Sequence, residues 1–271
     1  MNNSELLELF DREVRQECEW TRMKREVLPG IVRYTLMGVG SGGGFISWSG
    51  LTAETADAAI ANQVAHYRTL NLDFEWKHYT HDEPVDLPQR LLACGFKGDD
   101  SEALMVADIN DLPSDYWTMD VSAVQPVTTS EGVDAIMGME SEVWSKDLSN
   151  TGRGMKYDLE HHPDHISIFA VWADGRVVSA GWTHYLIPTS FATLWGGSTI
   201  REYRNHGYYT ALLAVRAREA RQRGYRFLQV DASPDSRQIL AKHSFRCLGY
   251  STPYEWKPEQ NTCYCERFLR T

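Results

Sequence analysis

The chain of 271 residues is 42% apolar and 24% charged, a composition that indicates a soluble globular protein of one or two domains. Its 37 acidic and 27 basic side chains leave a net charge of −10, which argues against a nucleic-acid partner because such binding depends on basic residues that neutralise phosphates. Apolar runs of only a few residues exclude a membrane-spanning helix, and the N-terminus lacks the basic and apolar regions of a secretory signal, so a cytoplasmic location is expected.

Helix and strand patterns alternate along the first half of the chain. Apolar residues recur at helical spacing near the N-terminus, which predicts a helix that begins at Asn3 or Ser4 and ends at Pro29-Gly30. Beyond it the patterns predict two strands, a helix, a strand, a short helix and a strand, in this order: Ile31–Met37, Gly44–Trp48, Thr52 or Glu54 to Arg68, Phe74–Thr80, Asp86–Cys94 and Glu102–Ile109.

A short segment rich in proline and turn-forming residues, Asn110–Tyr116, is interpreted as a linker, after which the pattern begins again. The second half is predicted to contain a strand, a helix, three strands, a long helix, a strand, a helix and a last strand: Met119–Val127, Ser130–Trp144, Ile166–Trp172, Arg176–Tyr185, Phe191–Ile200, Tyr209–Arg223, Phe227–Asp231, Ser236–His243 and Arg246–Trp256. Residues 1–115 and 116–271 are therefore predicted to be separate domains.

A faint internal repeat relates the two halves. The segment Asp86–Phe96 aligns without gaps with Asp235–Phe245, and Asp, Gln, Leu and Phe match in register. Each segment follows a predicted strand, so duplication explains the match better than chance does. The N-terminal half is interpreted as an altered copy of the C-terminal half.

The spacing of cysteine and histidine does not indicate a metal site. Five cysteines are scattered along the chain, and only Cys263 and Cys265 lie close together, without the second pair that a zinc site needs. Three nearby histidines, His161, His162 and His165, lose helical spacing at an intervening proline and are interpreted as part of a loop. No metal is therefore expected, and the thiols are expected to be reduced.

The clearest functional motif is a basic loop between a predicted strand and a predicted helix, Arg204-Asn-His-Gly207-Tyr-Tyr-Thr210. The first turn of a helix carries free N–H groups and positive partial charge, which suits a phosphate group. Gly207 would let the backbone approach that phosphate closely. The loop is therefore predicted to bind a phosphate-bearing ligand.

This loop resembles the acyl-CoA loop of the GNAT superfamily of N-acetyltransferases, whose pattern is Arg/Gln-x-x-Gly-x-Gly/Ala. Arg204 and Gly207 match the pattern, whereas Tyr209 stands where glycine or alanine is usual. The order of elements over Met119–Trp256 is similar to the order in that family, and Ile239–Phe245 resembles its L-Y-x-x-x-G-F segment. The resemblance implies an α+β fold with a mixed, mainly antiparallel sheet and flanking helices, present as two GNAT-like domains in tandem.

The resemblance also implies the cosubstrate acetyl-CoA, held in a V-shaped gap where one strand diverges from the next. Backbone groups of Thr199 and Ile200 would pair with the pantetheine arm, and N–H groups from Asn205 to Thr210 would surround the pyrophosphate. The residues expected to bind the cosubstrate are Thr199, Ile200, Arg204, Asn205, His206, Gly207, Tyr208, Tyr209, Thr210, Ser233 and Ser236.

Acetyl transfer to an amine needs a base for the amine proton and a proton for the departing thiolate. Members of the family often use a glutamate as the base and a tyrosine as the acid, but Leu240 occupies the tyrosine position here. The expected catalytic residues are Ser233, His184 and Glu142, with Glu140 and Asp231 as further candidates for the base. Each has a structural alternative: the glutamates can lie on a solvated helix face, the histidine in a half-buried strand, and the aspartate at the cap of a turn.

The first half lacks an Arg-x-x-Gly loop, and the corresponding segment Ser49–Asp57 carries acidic residues that would repel phosphates. It is predicted to have lost cofactor binding and to shape the acceptor pocket. The chain is expected to be an N-acetyltransferase that acts on an amine of a small molecule or peptide, with a homodimer left open. Two alternatives stay open: a non-catalytic acyl-CoA sensor or scaffold, and an acyl or aminoacyl transferase that uses charged tRNA, although the acidic charge weighs against tRNA.

Overall fold

The computed structural model of the protein describes residues 1–38 and 43–258, so Cys263 and Cys265 lie outside the described residues. In this part of the chain, seven α-helices flank one sheet. The helices are α1 (Asn3–Phe10), α2 (Ala56–Leu70), α3 (Leu87–Ala93), α4 (Ser130–Trp144), α5 (Ser149–His161), α6 (Tyr208–Gln222) and α7 (Pro234–Ala241). None of these helices is long and apolar enough to cross a membrane, as far as the described residues go.

Twelve strands of the described chain form this sheet. They are β1 (Met23–Leu28), β2 (Ile31–Leu36), β3 (Gly44–Ser49), β4 (Phe74–Tyr79), β5 (Lys97–Gly98), β6 (Glu102–Asp108), β7 (Val124–Pro126), β8 (Ile166–Ala173), β9 (Arg176–Tyr185), β10 (Phe191–Thr199), β11 (Phe227–Ala232) and β12 (Arg246–Trp256). The order across the sheet is β1-β2-β3-β4-β12-β6-β11-β10-β9-β8-β7, and β5 pairs with β12. Only β3 with β4 and β10 with β11 are parallel pairs, so the predicted α+β fold with a mainly antiparallel sheet is confirmed.

The two halves exchange their last strands. In each half a parallel strand pair is followed by a short helix, α3 or α7, and then by one more long strand. That strand does not return to its own half: β6 pairs with β11, and β12 pairs with β4. The two exchanged strands also pair with each other. The domain boundary between residues 115 and 116 therefore stays a prediction. The two halves on either side of it share one continuous sheet.

The predicted repeat matches the positions of buried residues. Leu91 on α3 and Leu240 on α7 are both at most 1% exposed, and the phenylalanines that follow them, Phe96 and Phe245, are at most 4% exposed. Each leucine lies in a hydrophobic core to which the exchanged strand of the other half also contributes. The matching leucine and phenylalanine are therefore core positions, because each short helix must bury an apolar side against the sheet, whereas the matching aspartate and glutamine are exposed in both copies.

The helices cover both faces of the sheet. Side chains alternate along a strand, and on β6 Leu104 and Val106 pack with α1, whereas Met105 and Ala107 pack with α6. The face covered by α1 is called the α1 face, and the opposite one the α6 face. Helices α4 and α5 cover β8 and β9, where they pack against Trp182.

The predicted N-terminal helix is wrong in its second half. Helix α1 and the π-helical turns that follow it end at Glu17, and Met23–Leu28 forms the edge strand β1. Pro29 and Gly30 connect β1 to β2 in a two-residue turn, in which Gly30 has a φ of +70°. The sequence did not predict this strand, because its residues, Met-Lys-Arg-Glu-Val-Leu, are mostly helix formers and lie at an exposed sheet edge.

Helix α5 was not predicted at all. Its sequence includes two glycines and few apolar residues, so no helical periodicity is visible. Tertiary packing explains the glycines: a Cβ on Gly152 would lie 2.7 Å from Met137, and a Cβ on Gly154 would lie 3.0 Å from the guanidinium of Arg22. The small residues therefore allow close contact with α4 and with the N-terminal half.

The predicted linker contributes two residues, Leu112 and Tyr116, to the core. Tyr116 is fully buried, and its carbonyl accepts a hydrogen bond of 2.6 Å from Nε of Arg218 on α6. The same guanidinium donates to the carbonyl of Met119 at 2.8 Å. The strand predicted at Met119–Val127 is reduced to Val124–Pro126, because the chain before it turns to follow α6.

Candidate active site

A gap opens between β10 and β11 on the side toward the start of α6. The two strands pair in parallel only from Phe191 to Thr193, opposite Phe227 to Gln229. Strand β10 then continues for six residues to Thr199, while β11 stays paired with β6 along its whole length. The sheet therefore splits into a V whose apex lies at Thr193 and Gln229.

The N-terminus of α6 lies beside this gap, and no side chain of the described residues caps it. The helix begins at Tyr208, and Gly207 precedes it with a φ of +82°. Its first internal backbone bond runs from Ala211 N–H to Gly207 C=O, so the N–H groups of the first turn are left for a ligand. A Cβ on Gly207 would meet nothing within 4 Å, so there is open space at this point. The arrangement suits an anion.

Both residues whose backbone is predicted to hold pantetheine, Thr199 and Ile200, form hydrogen bonds within the protein in this structure. The carbonyl of Thr199 accepts a hydrogen bond of 3.1 Å from Nε of Arg204. The N–H of Ile200 donates to Val178 on β9 at 2.9 Å, and its carbonyl accepts from Tyr203 N–H at 2.9 Å. The roles of Thr199, Ile200 and Arg204 in binding the cosubstrate stay predictions.

Tyr209, which departs from the pattern of the loop, lies between α6 and β10. A Cβ on Gly197 would be 3.2 Å from its ring, so the glycine makes room for the phenol. Burial raises the pKa of Tyr209. The neighbouring Tyr208 stacks beside the ring of His206, with centroids 5.8 Å apart. The phenol of Tyr209 therefore leaves the helix N-terminus open.

A β-bulge with a buried arginine follows the apex of the gap. Gly197 is the extra residue of β10, because Gly196 pairs with Gly181 and the next residue to pair is Ser198. Arg216 on α6 is 2% exposed, and its Nη1 donates to the carbonyl of Trp195 at 3.2 Å. A Cβ on Gly181 would lie 2.9 Å from this guanidinium, so a larger residue there would displace the arginine. Arg216 was not identified from the sequence, because an arginine in a helix predicts a surface position.

His184 lies on the α1 face of β9, opposite Thr193 at the apex of the gap, on the side of β10 away from β11. It pairs across the strands with Thr193, whose hydroxyl is buried without a partner among the described residues. Its ring is 5.9 Å from the ring of Trp195 and 5.8 Å from that of Trp20. Burial lowers the pKa of His184 to about 4, while Asp158 opposes this shift. The imidazole is therefore unprotonated at neutral pH.

The two glutamates of α4 differ in their surroundings. Glu142 is exposed and forms an ion pair of 3.2 Å with Arg176. Glu140 is 2% exposed, and its Oε2 accepts hydrogen bonds from Ser198 Oγ at 2.7 Å and Trp144 Nε1 at 2.9 Å. Burial raises the pKa of Glu140, against the effect of its hydrogen bonds. Glu140 is thus the carboxyl of α4 that contacts β10, and the catalytic role of Glu142 stays a prediction.

Residues 133–250 match the family model described as the acetyltransferase (GNAT) family. The match covers the diverging strands, the bulge and the uncapped helix. Residues 133–250 form a GNAT domain. Among curated proteins, no sequence matches this chain significantly.

Solved structures of GNAT proteins share the fold of the whole chain. A GCN5-related N-acetyltransferase from Kribbella flavida has a TM-score of 0.62 at 13% identity, and the match covers 94% of each chain. A tandem GNAT protein from the clavulanic acid biosynthesis pathway has a TM-score of 0.55 at 10% identity, covering 84% of this chain and 78% of that one. At such low identity the likeness establishes the tandem fold and leaves the substrate open.

Ser233 of the GNAT domain is the N-cap of α7. Its Oγ accepts from the N–H of Ser236 at 3.4 Å and donates to Ser236 Oγ at 3.2 Å. Two residues earlier, Asp231 binds Lys77 of β4 at 2.6 Å and accepts from Ser251 at 3.2 Å. Asp231 therefore does not cap the turn after β11, and the catalytic and binding roles predicted for the two serines stay predictions.

Glu102, at the start of the exchanged strand β6, adds a carboxyl near Asp231. Burial and the charge of Asp231 raise the pKa of Glu102 to about 7. Sequence reasoning missed this residue because it belongs to the other half of the chain. Strand exchange alone brings it beside the GNAT domain. In the described residues, no group of three or more His, Cys, Asp or Glu side chains could hold a metal ion.

The lowered pKa of His184 predicts a loss of stability in acid. The ordinary pKa of histidine is about 6.5. Between about pH 6.5 and pH 4 the unfolded chain therefore binds a proton at this residue that the folded chain does not bind. The stability that neutral His184 gives to the folded state is fully present above pH 6.5, and as the pH falls toward 4 up to about 3 kcal/mol of it is lost. Urea unfolding of His184→Phe should show a smaller loss between pH 7 and pH 4.5 than the wild type shows. An equal loss in both proteins would contradict the assignment.

Proposed function

We propose that the chain is an acetyl-CoA-dependent N-acetyltransferase that acts on an amine of a small molecule or peptide. The observation that carries this proposal is the combination, in one GNAT domain, of the V-shaped gap with the uncapped start of α6. The gap can admit an extended arm between β10 and β11, and the helix start can bind a pyrophosphate. A cytoplasmic location and binding of one cosubstrate per chain are parts of the proposal.

The first half supports the proposal of a single cosubstrate site. Its equivalent helix, α2, follows β3 as α6 follows β10. At the start of α2, Arg90 donates to the carbonyl of Ala53 at 2.9 Å and pairs with Asp57 at 2.9 Å. The carboxylate of Asp57 lies in the first helical turn, where it would oppose a bound pyrophosphate.

The proposed chemistry is direct attack of the amine nitrogen on the thioester carbon. A nitrogen–carbon bond forms, the carbon–sulfur bond breaks, the amine loses a proton and the thiolate gains one. His184 is unprotonated at neutral pH and pairs with Thr193 at the apex of the gap, one strand away from it, so we assign it the amine proton. A base of such low pKa can take that proton once the attacking nitrogen has become positively charged and acidic.

The proton for the thiolate is assigned to the hydroxyl of Ser233. Leu240, at the position where related proteins carry tyrosine, is 1% exposed and belongs to the core, so it cannot assist. Free thiols have a pKa of about 8.5, and a thiolate therefore leaves readily without a dedicated acid. Ser233 directly follows β11, one of the two strands that border the gap, and its hydroxyl already donates a hydrogen bond to Ser236.

Two measurements on the full chain test the proposed function. Calorimetry with acetyl-CoA should show one site per chain, and thiol release should then depend on an added amine. Absence of acetyl-CoA binding would overturn the proposal. Binding without thiol release, for every amine in a broad panel, would support a non-catalytic acyl-CoA sensor, which the buried Leu240 favours.

A further inference from the structure

A short segment of the first half reaches into the GNAT domain at the apex of the gap. It follows the π-helical turns and runs from Cys18 to Arg22. The N–H of Glu19 donates to the carbonyl of Ile187, in the connection between β9 and β10, at 2.7 Å. Arg22 forms two hydrogen bonds of 3.0 Å with the carboxylate of Asp158 on α5, which is 1% exposed. The segment is thus held at both ends.

These two attachments position Trp20 against the candidate active site. The ring of Trp20 lies 6.3 Å from that of Trp195 with an interplanar angle of 88°, and 5.8 Å from that of His184. On its other side Trp20 contacts Phe45 of β3, at 6.1 Å. Trp195 remains 41% exposed, so the cluster has an open aromatic surface. Trp195 lies on β10 two residues after Thr193, where β10 and β11 have begun to separate.

The ionisable groups beside the rings, Arg22, Asp158 and His184, are paired or neutral. Each carboxylate oxygen of Asp158 accepts a hydrogen bond from Arg22. His184 carries no charge at neutral pH, because burial lowers its pKa to about 4. Glu19, next to Trp20, is exposed, and it contacts the GNAT domain through its backbone N–H. The aromatic side chains favour a flat apolar ligand.

We propose that Trp195 and Trp20, the latter from the half without the acyl-CoA loop, together form an acceptor subsite for primary amines that a short alkyl chain joins to an aromatic ring. This inference rests on the proposed function. Edge-to-face and offset stacked arrangements on the exposed side of Trp195 would hold the ring, and the amine would then extend toward His184. Trp20 is a specificity-determining residue, since it supplies the second wall and holds Trp195 in place.

Direct binding of two probe amines tests the subsite independently of turnover. Phenethylamine carries a flat ring, and cyclohexylethylamine has the same carbon skeleton without planarity. With the full chain saturated by coenzyme A, calorimetry should show that phenethylamine binds about three- to tenfold more tightly than cyclohexylethylamine, the range expected for one aromatic contact. Trp20→Ala should abolish that preference, and Trp20→Phe should retain part of it. Thermal unfolding checks that both variants are folded.

Trp172→Ala is the matched control, because Trp172 is also 41% exposed but lies on β8 beside the turn to β9. It should bind both probes as the wild type does. The inference is overturned if the wild type has no preference for phenethylamine, or if Trp20→Ala keeps the preference. If the preference is present but no amine causes thiol release from acetyl-CoA, the subsite stands and the proposed enzymatic function fails.

Discussion

Gly207→Asp is expected to weaken acetyl-CoA binding by about a hundredfold. The carboxylate would stand at the start of α6, in the open space where the pyrophosphate is proposed to bind. Two unit charges about 5 Å apart repel by roughly 3 kcal/mol at an effective dielectric constant of about 20, which corresponds to that loss of affinity. Calorimetry on the full chain measures the effect.

Gly207→Asn separates the charge from the backbone conformation. Asparagine has nearly the shape of aspartate and also tolerates a positive φ, here +82°, but it carries no charge. We expect this variant to keep most of the affinity. If the two variants lose affinity equally, the loss comes from shape or backbone strain, and the phosphate position assigned to the start of α6 is wrong.

Residues 116–271 alone are expected not to fold, although they contain the whole GNAT family match. Strand β6 pairs with both β11 and β12, so its removal would leave two facing strand edges without partners in the middle of the sheet. It would also remove Met105 and Ala107 from the core beneath α6. Size-exclusion chromatography and thermal unfolding should show aggregation and no cooperative transition.

The control for this truncation is a full chain cut after folding. Cleavage at a protease site inserted at the exposed Ser122 would break the covalent connection between the two halves. The exchanged strands should hold the nicked halves together, with a single unfolding transition close to that of the intact protein. A monomeric 116–271 fragment with its own cooperative transition would show that the halves are independent domains, and the observed exchange would then be dispensable for folding.

Elements with strong local signals were predicted well. Helix α4 was predicted with its observed bounds, because Thr129 caps its first turn and its apolar residues recur at helical spacing. The start of α6 differs by one residue, since Gly207 is locally suited to a positive φ before a helix. Helix α5 and strand β1 were missed, because their residue types contradict their observed structure and tertiary packing overrides local preference.

The sequence by itself determined the parts of this protein that depend on neighbouring residues: the class of fold, the basic loop with its helix, and the faint duplication. Only the tertiary structure decided which strand lies beside β11, because a strand pattern specifies an edge that can pair but not the distant partner that pairs with it. The same long-range pairing brings Glu102 beside Asp231, and the attachment of the Cys18–Arg22 segment brings Trp20 to His184. Such contacts join residues more than a hundred positions apart, and they form only because both halves bury their apolar surface in one common sheet.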